Sequence, residues 1–129
     1  MQIKDYLEKL ISVIASSPYV VSKTLLFEER PPNAAFINGM INFIDGSKLY
    51  FKEFITYKSE KIVFLKYAYN YLTKDDTLIF RYDNALDPKA KTLETYPEHK
   101  HIRKNNIVSA RRPSMNEVIR EISELIGRQ

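Results

Sequence analysis

Five side chains of this sequence have the types needed for acid–base and phosphate chemistry: Glu53, Arg81, Asp83, His99 and His101. An isolated imidazole has a pKa of about 6.5, so histidines can donate and accept protons close to neutrality. A guanidinium binds phosphate oxygens and stabilises charge that develops on them, and a carboxylate can take a proton or orient an imidazole. Together these groups are typical of a catalytic site for phosphodiester cleavage.

A basic segment surrounds both histidines. Residues 88–112 contain seven Lys or Arg against two Glu, a net charge of +5, whereas the whole chain has +4. Such a segment attracts phosphates, although a solvated polar loop would have the same composition. The predicted nucleic-acid-binding residues are Lys66, Lys100, Arg103, Lys104, Arg111 and Arg112.

Metal binding is a weaker hypothesis from the sequence. His99 and His101 are two residues apart and can share one face of a strand, but the sequence indicates no clear third ligand beside them. We therefore expect no cofactor and assign no metal ligands. In a variant of the site, Glu53 and Asp83 would hold a divalent metal with one or both histidines.

Helices and strands must position these groups. Apolar residues recur at helical spacing over residues 2–16, and Ser114 to Glu117 fits a capping box that begins a closing helix. Between the helices, β-rich segments span residues 19–29, 35–44, 48–57, 61–72 and 77–84, and short turns join them. We expect one α+β domain over residues 1–129, a five-stranded antiparallel meander with the N-terminal and C-terminal helices packed on one face. Residues 85–112 are expected to be a basic polar loop within it, in which Ile107-Val108 could form a short strand.

Strand alternation predicts which side chains share a face. With a two-residue turn at Asp45-Gly46 and four-residue turns elsewhere, Glu53 lies with Arg81 and Asp83 on the face opposite the core. Glu53 interrupts an apolar row, where an ionisable group is costly unless it is paired or used in function. An ion network on a solvated sheet face is the alternative. The tyrosine-rich face is expected to be the core, although tyrosines also stack on bases.

Composition excludes several classes of protein. The chain has no cysteine and three glycines, which excludes disulfide scaffolds, thiol nucleophiles and glycine-rich phosphate loops. No stretch is apolar enough for a signal peptide or a membrane span. We expect a soluble, cytoplasmic protein without membrane contact.

Two motifs resemble a known family. They are Phe80-Arg81-Tyr82-Asp83-Asn84 and, about a dozen residues later, Pro97-Glu98-His99-Lys100-His101; the upstream Asp-Gly hairpin followed by Glu53 is similar too. With these motifs, nearly the whole chain resembles the TumE-type toxins of prokaryotic toxin–antitoxin systems. The resemblance implies a growth-inhibiting toxin with a small, DNA-binding antitoxin as its partner. By motif match, Glu53, Arg81, Asp83, His99 and His101 fall on polar positions of the family.

The sequence departs from the family pattern at two places. Asn84 is followed by Ala85-Leu86-Asp87-Pro88, where many members have paired histidines, and Glu98 takes the place of a histidine. Both departures argue against a histidine-rich metal site.

Two functions are compatible with these observations. The first is a ribonuclease-like toxin that cleaves RNA without a metal, with the five residues above as its catalytic site. The second is a non-catalytic module that binds nucleic acid or a host protein and acts by sequestration. The apolar part of the same face also suits a homodimer or an antitoxin interface. Loss of activity on Glu53→Gln, Arg81→Ala or His99→Ala without loss of folding would favour catalysis.

Overall fold

The computed structural model describes residues 2–103 and 106–128. Two α-helices, α1 and α2, flank seven β-strands, and a short 3₁₀ turn lies at Pro88–Ala90. The bounds are α1 Ile3–Ala15, β1 Val20–Arg30, β2 Ala34–Phe43, β3 Lys48–Lys58, β4 Lys61–Leu72, β5 Leu78–Asp83, β6 His99–Ile102, β7 Asn106–Ser109 and α2 Met115–Gly127. The strands form one antiparallel sheet in the order of the chain.

The helices begin where the sequence predicts. Ser114 accepts a hydrogen bond from the amide of Glu117, and the Glu117 carboxylate accepts one from the amide of Ser114. This capping box satisfies two amides that have no partner within the helix. The apolar stripes of α1 and α2 both pack into the core, so the two helices cover the same face of the sheet. Neither 13-residue helix has the length and apolar character needed to cross a membrane, and the described chain contains no other candidate.

The sheet has seven strands, so the prediction of five was wrong. The two strands beyond the predicted five, β6 and β7, have four residues each and lie in the segment predicted to be a polar loop; β7 includes Ile107 and Val108, where the sequence allows a short strand. Four residues are too few for a clear alternation of apolar and polar side chains. Pairing with the free edge of β5 is what makes β6 a strand, and sequence periodicity does not report such pairing.

All three predicted hairpins differ in register from the assumed turns, and the shift of two residues at β4–β5 leaves each side chain on its face. The β2–β3 turn contains three residues, Ile44 to Gly46, closed by a hydrogen bond from the Phe43 amide to the Ser47 carbonyl, and Gly46 has φ of +86°. The β3–β4 turn contains two residues, Ser59 and Glu60, both at positive φ. The β2–β3 turn shifts the pairing by one residue and so moves every side chain of β3 to the opposite face, whereas the β3–β4 turn shifts it by two residues and does not.

The changed register moves half of β3 into the core. Leu49, Phe51, Glu53 and Ile55 all face the helices and are buried, whereas Tyr50 is exposed on the other side. A bulge in β4 between its pairing with Phe54 and with Ile55 keeps Tyr67, Tyr69 and Tyr71 in the core, as predicted. We call the face packed against α1 and α2 the helix face, and the opposite one the open face.

Candidate functional site on the open face

The pairing of β5 with β6 brings four predicted site residues together. Arg81 pairs with His101, and Asp83 pairs with His99. Arg81 and Asp83 lie on the open face, because Phe80 and Tyr82, which alternate with them along β5, point to the helix face. His101 and His99 are directly opposite Arg81 and Asp83, so they lie on the open face too. On the other side of β5, Asp83 pairs with Ala68, whose small side chain leaves space beside the carboxylate.

Asp83, His99 and His101 form a compact cluster, which we call the Asp-His-His cluster. The two Nε2 atoms are 3.1 Å apart. One oxygen of the Asp83 carboxylate is 3.3 Å from Nε2 of His99, and the other is 3.6 Å from Nε2 of His101. Asp83 and His99 are almost fully buried, whereas the His101 side chain is 21% exposed. The cluster is therefore anchored by two buried side chains, Asp83 and His99, and solvent can reach it at His101.

Backbone and side-chain partners hold the cluster in place. Nδ1 of His99 lies 2.7 Å from the Pro97 carbonyl oxygen, and the Asp83 carboxylate accepts hydrogen bonds from the amide of Ala85 and from Nε of Arg81. The Arg81 side chain is 39% exposed, so its outer nitrogens can still meet a ligand. Burial lowers the pKa of His101, and the His99 ring and the Arg81 guanidinium lower it further, against the opposing effect of the Asp83 carboxylate. His101 is therefore biased towards the uncharged form that can accept a proton or a metal.

Two neighbouring grooves extend the site across the open face. A groove of about 570 Å³ is lined by Lys52, Lys66, Arg81 and Asp83, among others. A second groove, of about 470 Å³, shares Lys52 and Arg81 with the first and continues over Asn38, Met40, Tyr50 and Asn70. Cations thus border the buried carboxylate, and polar and aromatic side chains follow. This order suits a phosphate with an attached base.

Glu53 does not belong to this site. It lies on the helix face, fully buried, and its carboxylate accepts hydrogen bonds from the hydroxyls of Tyr6 and Tyr69. Arg112 approaches it at 3.8 Å. Burial raises the pKa of Glu53 despite these partners. The prediction that Glu53 shares a sheet face with Arg81 and Asp83 was wrong because the β2–β3 turn has three residues instead of two.

Several predicted nucleic-acid-binding residues lie elsewhere. Lys100 points to the helix face and forms an ion pair with Glu121 at 2.7 Å. Arg112 donates to the Tyr69 hydroxyl and lies 3.5 Å above the ring of Phe64.

The remaining predicted binders are more exposed or outside the described residues. Arg111 is exposed near Glu98, and Arg103 lies in the turn after β6. Lys104 falls outside the described residues. Among the members of the predicted set that the structure describes, Lys66 alone lines the grooves next to the cluster.

Two residues between the site residues have structural roles. The Tyr82 hydroxyl donates to Glu121 of α2 and thereby anchors the helix to the sheet. Asn84 accepts from the amide of Tyr67 and donates to the carbonyl of Leu65, so it bridges the bulge in β4. The run from Arg81 to Asn84 thus alternates between site residues and residues that fix the sheet around them.

The sequence-based prediction did not include Lys52 or Tyr50. Lys52 pairs with Ala68, which pairs with Asp83, so the three lie in one row across the sheet. The signal was the alternation of β3 itself: its apolar row Leu49, Phe51, Ile55 indicates a core face, which leaves Tyr50 and Lys52 on the open face.

Comparison with known proteins identifies the family. The family model described as Toxin TumE matches residues 10–126, which include every described strand, α2 up to Ile126 and the Asp-His-His cluster. No curated protein and no solved structure matches the chain. The chain therefore belongs to the TumE family of toxins, and it is the toxin component of a toxin–antitoxin system.

Proposed function

We propose that this toxin cleaves RNA at the open face, with Asp83, His99, His101 and Arg81 as its reactive centre. The observation that carries the proposal is the convergence of a carboxylate and two imidazoles within 4.8 Å of one another, beside a half-exposed guanidinium. Among the described residues, no other group of ligand-type side chains converges in this way.

The cationic side chains that border the groove beside the cluster would bind the phosphate. Arg81, Lys52 and Lys66 border the same groove, and Lys52 and Lys66 are exposed. A phosphodiester seated there lies next to the cluster, and Arg81 would stabilise the charge that develops on its oxygens. The second groove would then accept a neighbouring base against Tyr50, since aromatic rings stack on every base.

The proposed reaction is internal transfer at phosphorus. The ribose 2′-oxygen forms a bond to phosphorus while the bond to the 5′-oxygen of the next nucleotide breaks. One group of the Asp-His-His cluster takes the 2′-hydroxyl proton, and a second, protonated group of the same cluster gives a proton to the leaving 5′-oxygen, so the step neither gains nor loses a proton overall. The 2′-hydroxyl is what makes RNA, rather than DNA, the substrate of this reaction.

Sequestration without cleavage has less support from the contacts. It requires a free basic surface, yet Lys100 and Arg112 are paired with acidic groups on the helix face. A clamp would lose affinity gradually and with strong salt dependence as cations are removed.

The experiment is cleavage of end-labelled RNA by the purified chain, with Asp83→Asn and Arg81→Ala as site variants. Loss of the Arg81 guanidinium should lower the single-turnover rate by about 10²–10³-fold. Asp75→Asn and Arg120→Ala are matched controls, because both side chains are exposed outside the grooves of the open face, and they should cleave normally. RNA that stays intact under all metal conditions, but binds with a steep salt dependence, would favour sequestration instead.

Partners follow from the family. A toxin–antitoxin system implies an antitoxin, and we propose that it is a small DNA-binding protein encoded beside this chain. Co-expression of the neighbouring reading frame should restore growth and yield a complex in gel filtration. The same measurement on the free toxin tests the proposed homodimer.

A further inference from the structure

We propose that Asp83, His99 and His101 are the protein ligands of a divalent transition-metal ion, with Zn²⁺ as the best chemical fit. The inference concerns the site of the proposed function and rests on that function for its catalytic consequence. Binding of the ion itself can be measured without RNA.

The distances between donor atoms fit one shared ion. Ligand atoms about 2.0–2.1 Å from a tetrahedral zinc lie roughly 3.3–3.4 Å from each other. The two imidazole Nε2 atoms are 3.1 Å apart, and the carboxylate oxygens are 3.3 Å from one and 3.6 Å from the other. The 3.3 Å and 3.6 Å distances involve different oxygens of Asp83, and with one ligand atom from each residue all three atoms lie within 4.8 Å of one another, so the cluster can converge on one ion.

The orientation of the His99 ring also supports a metal site. Its Nδ1 lies 2.7 Å from the Pro97 carbonyl oxygen, which can only accept, so Nδ1 carries the proton. In the neutral ring, Nε2 then has a lone pair, and that lone pair faces the Asp83 carboxylate and Nε2 of His101. A hydrogen bond from the second ring nitrogen to a backbone carbonyl is the usual way in which proteins fix a metal-binding imidazole.

Burial makes the close approach of the Asp83 carboxylate and the two Nε2 atoms costly unless a proton or a cation lies between them. The side chains of Asp83 and His99 are 3% and 1% exposed, so water cannot screen the carboxylate from the ring nitrogens. A proton between two of these atoms relieves one contact, whereas a divalent cation relieves all three at once. The Asp83 carboxylate also keeps its bonds to the Ala85 amide and to Arg81, which hold it aligned.

The ligand set indicates which ion and which kind of site. Two imidazoles with one carboxylate are typical of zinc and of other first-row metals, and the chain has no thiolate that would favour a structural site. Three protein ligands leave a coordination position open, and the exposed edge of His101 places that position towards solvent. Zinc lowers the pKa of bound water to about 7, so the ion would supply a hydroxide beside the phosphate held by Arg81.

The test is equilibrium binding of ZnCl₂ to chelator-treated, untagged protein by calorimetry. We expect one Zn²⁺ per chain. His101→Gln, which changes the partly exposed ligand, and the near-isosteric Asp83→Asn should each weaken binding by at least about 100-fold. Asp75→Asn is the matched control and should bind as the parent does. Cooperative thermal unfolding establishes that each variant is folded.

The small number of histidines gives a second readout. The chain has two, so ¹⁵N NMR resolves both rings, and Zn²⁺ should shift the Nε2 resonances of both while leaving Nδ1 of His99 protonated. If Zn²⁺ binds in a ratio other than one, or equally well to His101→Gln and Asp83→Asn, the inference is overturned. NMR shifts confined to one imidazole would overturn it too.

Failure of this inference differs from failure of the proposed function. Stoichiometric Zn²⁺ binding that the variants abolish, together with intact RNA, supports the metal site and rejects ribonuclease activity. RNA cleavage that persists unchanged after chelation, by a protein that does not bind Zn²⁺ stoichiometrically, supports ribonuclease activity and rejects the metal site.

Discussion

The buried contact between Arg112 and Glu53 should stabilise the fold, and Arg112→Leu tests this. The guanidinium donates to the hydroxyl of Tyr69 and to the carbonyl of Pro113, and it lies 3.5 Å above the ring of Phe64. It is also the cation nearest to the fully buried carboxylate, at 3.8 Å. Leucine keeps part of the apolar contact with Phe64 and removes the charge.

The expected loss of stability at pH 8 is about 3–5 kcal/mol, because removing one partner leaves a charge buried without compensation. Glu53→Gln removes that charge while keeping an oxygen for one tyrosine hydroxyl. The double variant should therefore lose at least about 1.5 kcal/mol less than the two single variants together. The loss from Arg112→Leu should also shrink at pH 5, because burial raises the pKa of Glu53 and a proton can then replace the cation.

Urea unfolding at pH 5 and pH 8, followed by circular dichroism, measures these free energies. Arg111→Leu is the control, because the neighbouring arginine is 75% exposed and should change stability by less than about 0.5 kcal/mol. If the single effects of Arg112→Leu and Glu53→Gln simply add, the two side chains are not coupled, and the structural role assigned to them is wrong.

Three further predictions concern stability. The raised pKa of Glu53 contributes stability that is fully present below its unfolded pKa and is lost as pH rises through the folded value, so urea midpoints should fall with rising pH more in the parent than in Glu53→Gln; equal slopes would contradict this. Gly39→Ala would place a Cβ in steric overlap with the Phe51 ring and 2.8 Å from the Leu25 side chain, and it should cost about 1–3 kcal/mol; an unchanged melting temperature would show that the ring moves freely. Ser114→Ala removes the acceptor for the Glu117 amide and should cost about 1 kcal/mol in urea unfolding; no loss would mean that the cap is not formed.

The sequence predicted the elements better than their pairing. Helical spacing and the Ser114 capping box were sufficient for both helices, and the Asp45-Gly46 dipeptide correctly placed a hairpin. The length of that turn was not predictable from the dipeptide, because Gly at positive φ serves a three-residue turn as well as a two-residue one. The one additional residue in the turn places Glu53 in the core instead of on the open face.

The residues of the candidate site were predictable from the sequence, but their arrangement on the sheet was predictable only in part. Arg81, Asp83, His99 and His101 come together because β6 pairs with β5, a contact between segments that local periodicity does not encode. The motif resemblance included these residues without indicating which of them share a face. The apolar alternation of β3 indicates that Lys52 and Tyr50 lie on the open face. A two-residue turn at Asp45-Gly46 would instead place them on the helix face, which the observed register contradicts.

The central claim is that toxicity originates at the Asp-His-His cluster on the open face. Induced growth inhibition by Asp83→Asn and His101→Gln, compared with Asp75→Asn at equal levels of folded protein, tests this claim most directly. We predict that both cluster variants permit normal growth while Asp75→Asn remains fully toxic. Undiminished growth inhibition by folded Asp83→Asn and His101→Gln would contradict the account.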